Sequence, residues 1–250
     1  MSTIVFLRHG EASLFSDDYD QLSDLGQQQS RLLGRYFSRK KLVFNELYVG
    51  PRKRHRDTAA LADELCGNLS EAEEIPEFDE HHVDQLVSNH LDDLGKEFPY
   101  LNHLRDTFHS AETQIDRQRA FARLFESVSI LWVTDSCPLF GIESWTAFKE
   151  RVNTGIRRII NRGGRSRTVL VVTSAGTIMA AMHKALHCPG EVALGRSWRI
   201  WNCSLTAFAF TDTRFTLDRF NTMSHFDDPA LWTYRSVSYT HLTLPTNREV

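Results

Sequence analysis

A run of apolar, strand-forming residues ends abruptly within the first ten positions at an arginine, a histidine and a glycine: Ile4-Val5-Phe6-Leu7-Arg8-His9-Gly10. Four apolar residues in succession leave no polar face for water. The run therefore reads as a strand covered on both sides, as in a parallel α/β sheet. A second run, Thr168-Val169-Leu170-Val171-Val172-Thr173, reads as a central strand of the same sheet. Gly10 lets the backbone turn where a side chain would clash. Ligands of open α/β sheets sit just beyond the carboxyl ends of the strands. A guanidinium and an imidazole at such a point suit a phosphate, the arginine as a bidentate oxyanion donor and the histidine as nucleophile or proton carrier. The three residues fit a plainer reading equally well, with Arg8 paired to a carboxylate and His9 satisfied in a loop.

Helical periodicity supplies the covering layers. Ser23 reads as the N-cap of a helix to about Lys40, whose apolar set is Leu25, Leu32, Leu33, Tyr36 and Phe37. Residues 44–49 read as a second strand, ended by Gly50-Pro51, and residues 54–66 as a helix with Ala59, Ala60, Leu61 and Leu65 on its apolar side. Residues 15–21 and the acidic stretch 68–74 read as loops, and 75–78 as a short strand. Residues 83–140 show no clear strand but carry helical stretches such as 118–128, which predicts a helical cap inserted over the sheet. A helix over 144–162 presents Trp145, Phe148, Val152, Ile156 and Ile159 on one face, and Gly163-Gly164 stops it. A helix over 177–186 and two strands, 198–211 and 214–221, joined at Thr211-Asp212-Thr213, complete the pattern.

Composition narrows the function classes. A net charge of −3 gives no global reason to expect nucleic acid or an anionic membrane as partner. No apolar run approaches the ~20 residues of a membrane helix, and the N-terminus lacks the pattern of a secretory signal. Cys66, Cys137, Cys188 and Cys203 are scattered without a C-x-x-C pair, which argues against zinc and for reduced thiols in the cytoplasm. Arg52-Lys53-Arg54-His55-Arg56 fits a nucleic-acid patch or, next to Pro51 and Thr58-Ala59, a phosphate-site arginine with solvated neighbours. Glu80-His81-His82 fits a metal site or an ordinary loop.

Leu7-Arg8-His9-Gly10-Glu11 after an N-terminal strand resembles the signature of the histidine phosphatase superfamily, the phosphoglycerate-mutase-like fold. The segments Tyr19 to Gln29, Gly50 to Ala59, Glu143-Ser144-Trp145, the strand ending at Thr173, and Asn202-x-Ser204 follow in the family's order. The resemblance runs over residues 2–235 and is weak over 83–140. It implies a mainly parallel central sheet flanked by helices, a three-layer sandwich with a helical cap insert, over residues 1–235. It also implies hydrolysis of a small phosphorylated metabolite through phosphohistidine at His9. Arg8 and Arg54 would clamp the phosphate, and Glu80 would serve as general acid with Asp79 as the competing assignment. No metal or other cofactor is implied.

One position departs from the family. Where it reads Val-x-His-Gly-Gly, this chain reads Val172-Thr173-Ser174-Ala175-Gly176, so the second pocket histidine is Ser174. Together with the segment around Tyr19 to Ser23, that serine resembles a bacterial subgroup. A hydroxyl donates one hydrogen bond but carries no charge, and losing a preorganised donor costs ~2.7–4 kcal/mol. A degenerate member that binds phosphorylated ligands without turnover is therefore the first alternative. A phosphoglycerate mutase is disfavoured for want of an Arg-Arg-x-x-Gly segment. Residues 236–250 resemble translated adapter sequence and are expected to pack against nothing.

Overall fold

The computed structural model describes residues 1–12 and 20–234. The loop expected over 15–21 falls mostly outside them, and so does the foreign-looking stretch 236–250. Two compact units emerge. Among the described residues one joins Met1–Glu80 to 149–234, and the other is His81–Phe148.

The first unit is built on a six-stranded sheet of β1 (Ser2–Arg8), β2 (Glu46–Val49), β3 (Ala72–Glu74), β4 (Thr168–Thr173), β5 (Leu205–Phe210) and β6 (Phe215–Thr222). Their order is β3-β2-β4-β1-β5-β6. The first four lie parallel to their neighbours, while β5 and β6 run antiparallel at one side. The unbroken apolar runs of β1 and β4 are adjacent at the centre, with Ile4 opposite Val169 and Phe6 opposite Val171. Strand alternation divides them between two apolar layers. Val5, Leu7, Leu47, Val49, Leu170 and Val172 pack with Leu33 and Phe37 of α1 (Asp24–Arg39) and Ala59 of α2 (Lys53–Cys66). On the opposite face Phe6 meets the rings of Phe78 and Phe208 at 5.7 and 5.6 Å. Burying an aromatic ring of this kind is worth about 1.5–3 kcal/mol.

The local signals act where the sequence placed them. Ser23 Oγ accepts the Gly26 N–H at 3.0 Å and caps α1. Gly163 and Gly164, at φ +71° and +93°, carry the chain out of the helix α7 (Trp145–Asn161). Two further α-helices are α8 (Ala175–Leu186) and α9 (Gly190–Ser197).

Two expectations need correction. The strand expected at 75–78 lies earlier, at Ala72–Glu74, where parallel pairing with β2 makes an acidic stretch into an edge strand. Pro76 then opens a single 3₁₀ turn, Pro76–Phe78. Residues 198–204 are not strand; β5 starts at Leu205, and the helix α9 ends just before them.

The second unit is helical among the described residues: α3 (Val83–Asn89), α4 (Leu91–Glu97), α5 (Tyr100–Ser110) and α6 (Gln114–Val133). Trp132, Trp145, Phe148 and His81 pack their rings 5.0–6.1 Å apart within it.

Candidate active site

Three parallel strands end on one edge of the sheet, β1 at Arg8, β2 at Val49 and β4 at Thr173. The residues that follow them meet there. His9 N–H donates to Thr173 O at 2.9 Å, and Gly10 N–H to Thr58 Oγ1 of α2 at 3.0 Å. The turn at Gly10 cannot carry a side chain, since a Cβ there would lie 2.5 Å from Gly26 O at the start of α1. These contacts leave His9 buried with its ring fixed at both nitrogens.

His9 Nδ1 lies 2.6 Å from Gly10 O, and Arg54 Nε donates to His9 Nε2 at 3.2 Å. A carbonyl on one side and an N–H donor on the other select one tautomer, protonated at Nδ1 and bare at Nε2. Burial, then the Arg54 and Arg8 charges and the nearby His55, hold the ring well below the usual histidine range, so it is neutral near pH 7. That is the form a nucleophilic imidazole needs.

Arg54 is the hub of the site. Besides His9 it reaches Ser174 Oγ through NH2 at 3.4 Å and Asp20 Oδ1 through NH1 at 2.9 Å. Ser174 precedes α8 and is fully buried. His9 and Ser174 are therefore both within hydrogen-bond reach of one guanidinium. Glu80 is close to the same helix start, its Oε2 accepting the Gly176 N–H at 3.2 Å. Asp79, the competing acid, is engaged by Arg52 at 2.5 Å and accepts the Glu80 N–H at 2.8 Å. Arg8 directs NH1 to the carbonyls of Ile200 and Tyr234.

Two residues of the site were missed in the sequence. Asp20 caps α2 through Lys53 N–H at 2.7 Å while pairing with Arg54. His55 is fully buried, with Nε2 2.7 Å from Ser174 Oγ and its ring centroid 5.7 Å from that of His9. Its signal was the helical spacing His55, Ala59, Ala62, the buried face of α2, which the surrounding basic run obscured. Within that run Arg52 pairs with Asp79, Lys53 with Asp57 and Arg56 with Glu74, so its cations face carboxylates of their own chain. Among the described residues no group of three or more His, Cys, Asp or Glu side chains is arranged to hold a metal, and no helix is long and apolar enough to cross a membrane.

The family model of the histidine phosphatase superfamily (branch 1) matches residues 4–126 and 113–223. The chain belongs to the histidine phosphatase superfamily. Solved structures of the same fold include YhfR of Bacillus stearothermophilus, 17% identical with a TM-score of 0.64. A second is phosphoserine phosphatase from Entamoeba histolytica in complex with 3-phosphoglyceric acid, 16% identical with a TM-score of 0.60. A third is mycobacterial glucosyl-3-phosphoglycerate phosphatase with inorganic phosphate, 18% identical with a TM-score of 0.60. Each match covers 90% of this chain and 99% of the other. Among curated proteins none matches. This histidine phosphatase family member thus shares the mixed, mainly parallel sheet and flanking helices of phosphoglycerate-mutase-like proteins.

Proposed function

We propose that the chain hydrolyses small phosphomonoesters in the cytoplasm through a phosphohistidine at His9. The observation that carries the reading is the pair of contacts on the His9 ring. Gly10 O accepts a hydrogen bond from Nδ1–H, and the Nε2 lone pair faces the Arg54 guanidinium, the place a phosphoryl group would be held. In the first step Nε2 attacks phosphorus in line and the P–O bond to the leaving alcohol breaks. Glu80 gives that oxygen a proton, and the Gly176 N–H stabilises the carboxylate left behind. In the second step water attacks the phosphohistidine while Glu80 takes its proton, releasing phosphate and restoring the neutral imidazole. Arg54, Arg8 and the Ser174 hydroxyl bear the charge spread over the equatorial oxygens.

The neighbours named as phosphoserine and glucosyl-3-phosphoglycerate phosphatases support a small phosphorylated metabolite as substrate. Phosphate release from a metabolite panel tests the proposal: wild type should turn over at least one compound, and His9→Ala should turn over none. Equal release by His9→Ala would overturn it. The uncharged, buried Ser174 favours a second reading, a protein that binds phosphorylated ligands without turnover. Vanadate or phosphate binding by a protein inactive on the whole panel would select that reading.

A further inference from the structure

The turn that carries His9 is tied to the segment around Thr233 by two buried amides, Gln29 and Asn202. Gln29 Oε1 accepts the Glu11 N–H at 2.9 Å, while Gln29 Nε2 donates to Thr233 Oγ1 at 2.9 Å and to Leu231 O at 2.8 Å. Asn202 Nδ2 donates to His9 O at 3.1 Å, and Asn202 Oδ1 lies 3.1 Å from Thr233 Oγ1. Backbone partners fix which way round each amide lies, because a backbone N–H only donates and a carbonyl only accepts. One arrangement is then left for the Thr233 hydroxyl. It accepts from Gln29 and gives its single hydrogen to Asn202 Oδ1. The result is a one-way chain, from Glu11 N–H through Gln29, Thr233 and Asn202 to His9 O, that leaves the turn on one side of Gly10 and returns on the other. Hydrogen bonds aligned in this way polarise and strengthen one another.

The chain holds the acceptor that orients the His9 ring. Gly10 O receives the Nδ1–H of His9. It shares a planar peptide with the Glu11 N–H and points the opposite way across a trans bond, so capture of that N–H by Gln29 sets where Gly10 O points. Glycine by itself offers little resistance to a flip of that peptide. On the other side of Gly10, Asn202 Nδ2 and the Cys203 N–H share His9 O. Cys203 lies at φ +57°, a conformation that a residue with a side chain keeps only where its surroundings demand it. Thr233 also fixes this loop through its backbone, its carbonyl accepting the Asn202 N–H at 2.6 Å.

We propose that Thr233 is a positioning residue: its hydroxyl joins Gln29 to Asn202 and so holds the Gly10 peptide in the orientation that keeps the His9 Nδ1 proton in place and Nε2 bare for attack. The inference rests on the phosphatase reading of the site. It gives the segment 231–234 a part in the chemistry without any contact with the substrate.

Two substitutions test it. Thr233→Val keeps the shape of the side chain and breaks the chain at its middle, whereas Thr233→Ser keeps the hydroxyl. On a phosphomonoester that wild type accepts, Thr233→Val should lower kcat about tenfold or more while KM stays within about twofold, since a misaimed nucleophile costs rate rather than ground-state binding. Thr233→Ser should stay close to wild type. In ¹⁵N-histidine spectra the His9 ring signals should move toward a mixture of tautomers in Thr233→Val and stay in place in Thr233→Ser. A Thr233→Val protein that melts lower yet keeps its kcat and its His9 signals would overturn the proposal, and so would a Thr233→Ser as slow as Thr233→Val. Should Thr233→Val fail to fold, amide exchange in wild type decides: a Glu11 N–H that exchanges as slowly as the amides of β1 supports the chain, and fast exchange there overturns it. If wild type releases no phosphate but the His9 signals shift in Thr233→Val alone, the phosphatase reading falls and the Thr233 assignment stands. If wild type releases no phosphate and neither variant moves the His9 signals, both fall.

Discussion

Replacing Ser174 by histidine would restore the residue that the family resemblance leads one to expect, and the structure predicts that this alone does harm. The Ser174 side chain is fully buried, with His55 Nε2 at 2.7 Å and Arg54 NH2 at 3.4 Å from Oγ. An imidazole attached at the same Cα must extend into the volume the His55 ring already fills. Overpacking of this size costs about 1–3 kcal/mol, and the lost His55–Ser174 hydrogen bond adds about 1 kcal/mol. For a domain of this size each kcal/mol is about 2–4 °C in Tm. Ser174→His should therefore melt several degrees below wild type and lose phosphatase activity. Adding His55→Ala empties the competing volume, so the double variant should recover most of the Tm and exceed the single variant in rate. Differential scanning calorimetry and phosphate release on the three proteins provide the comparison. A Ser174→His protein as stable and active as wild type would refute the packing argument, because it would show room for both rings.

Three further outcomes follow from the same geometry. Arg54→Lys keeps the charge but gives up the fork that reaches His9, Ser174 and Asp20 at once, so kcat/KM should drop about a hundredfold or more in steady-state assays; a loss under threefold would remove Arg54 from the centre of the site. His225 is packed against Tyr36 and Phe226, and burial pushes it from 6.5 to about 4. The unfolded chain therefore takes up a proton below pH 6.5 that the folded one refuses. Stability falls as pH drops toward 4, by about 3 kcal/mol in all at about 1.4 kcal/mol per pKa unit. Urea melts of His225→Phe at pH 7 and pH 5 should show a shallower loss than wild type, and an unchanged slope would contradict the assignment. Gly10→Ala would put a Cβ 2.5 Å from Gly26 O, so it should destabilise by about 1–3 kcal/mol and misplace His9; full stability by calorimetry would show that the turn is looser than the structure has it.

The sequence was most readable where local chemistry alone decides the outcome. The strand runs at Ile4–Leu7 and Thr168–Thr173, the Ser23 cap and the Gly163-Gly164 stop each carry their own physical signal, and the structure places an element or an end at each. It was least readable where a long-range partner decides. Ala72–Glu74 is strand only because β2 offers it a free edge, and its acidic side chains resemble a loop until that edge is known. The short helix α9 contains two glycines and no sustained apolar period. In the site, His9, Arg54 and Ser174 were identifiable from strand ends and family motifs, and the structure brings His9 and Ser174 within reach of the Arg54 guanidinium. His55 and Asp20 were not, since neither sits at a strand end and each takes its role from a partner far along the chain.

The central claim is that His9 Nε2 accepts the phosphoryl group, and an acid-stable trap is the wrong way to see it because the P–N bond is acid-labile. The direct measurement is rapid quench into base during turnover of a phosphomonoester that wild type accepts, followed by mass spectrometry of the peptide that carries His9. The structure predicts one added phosphoryl group on the His9 ring at Nε2 in wild type, and none in Arg54→Ala or His9→Ala. Phosphate release that proceeds at the wild-type rate with no phosphorylated His9 peptide would contradict it.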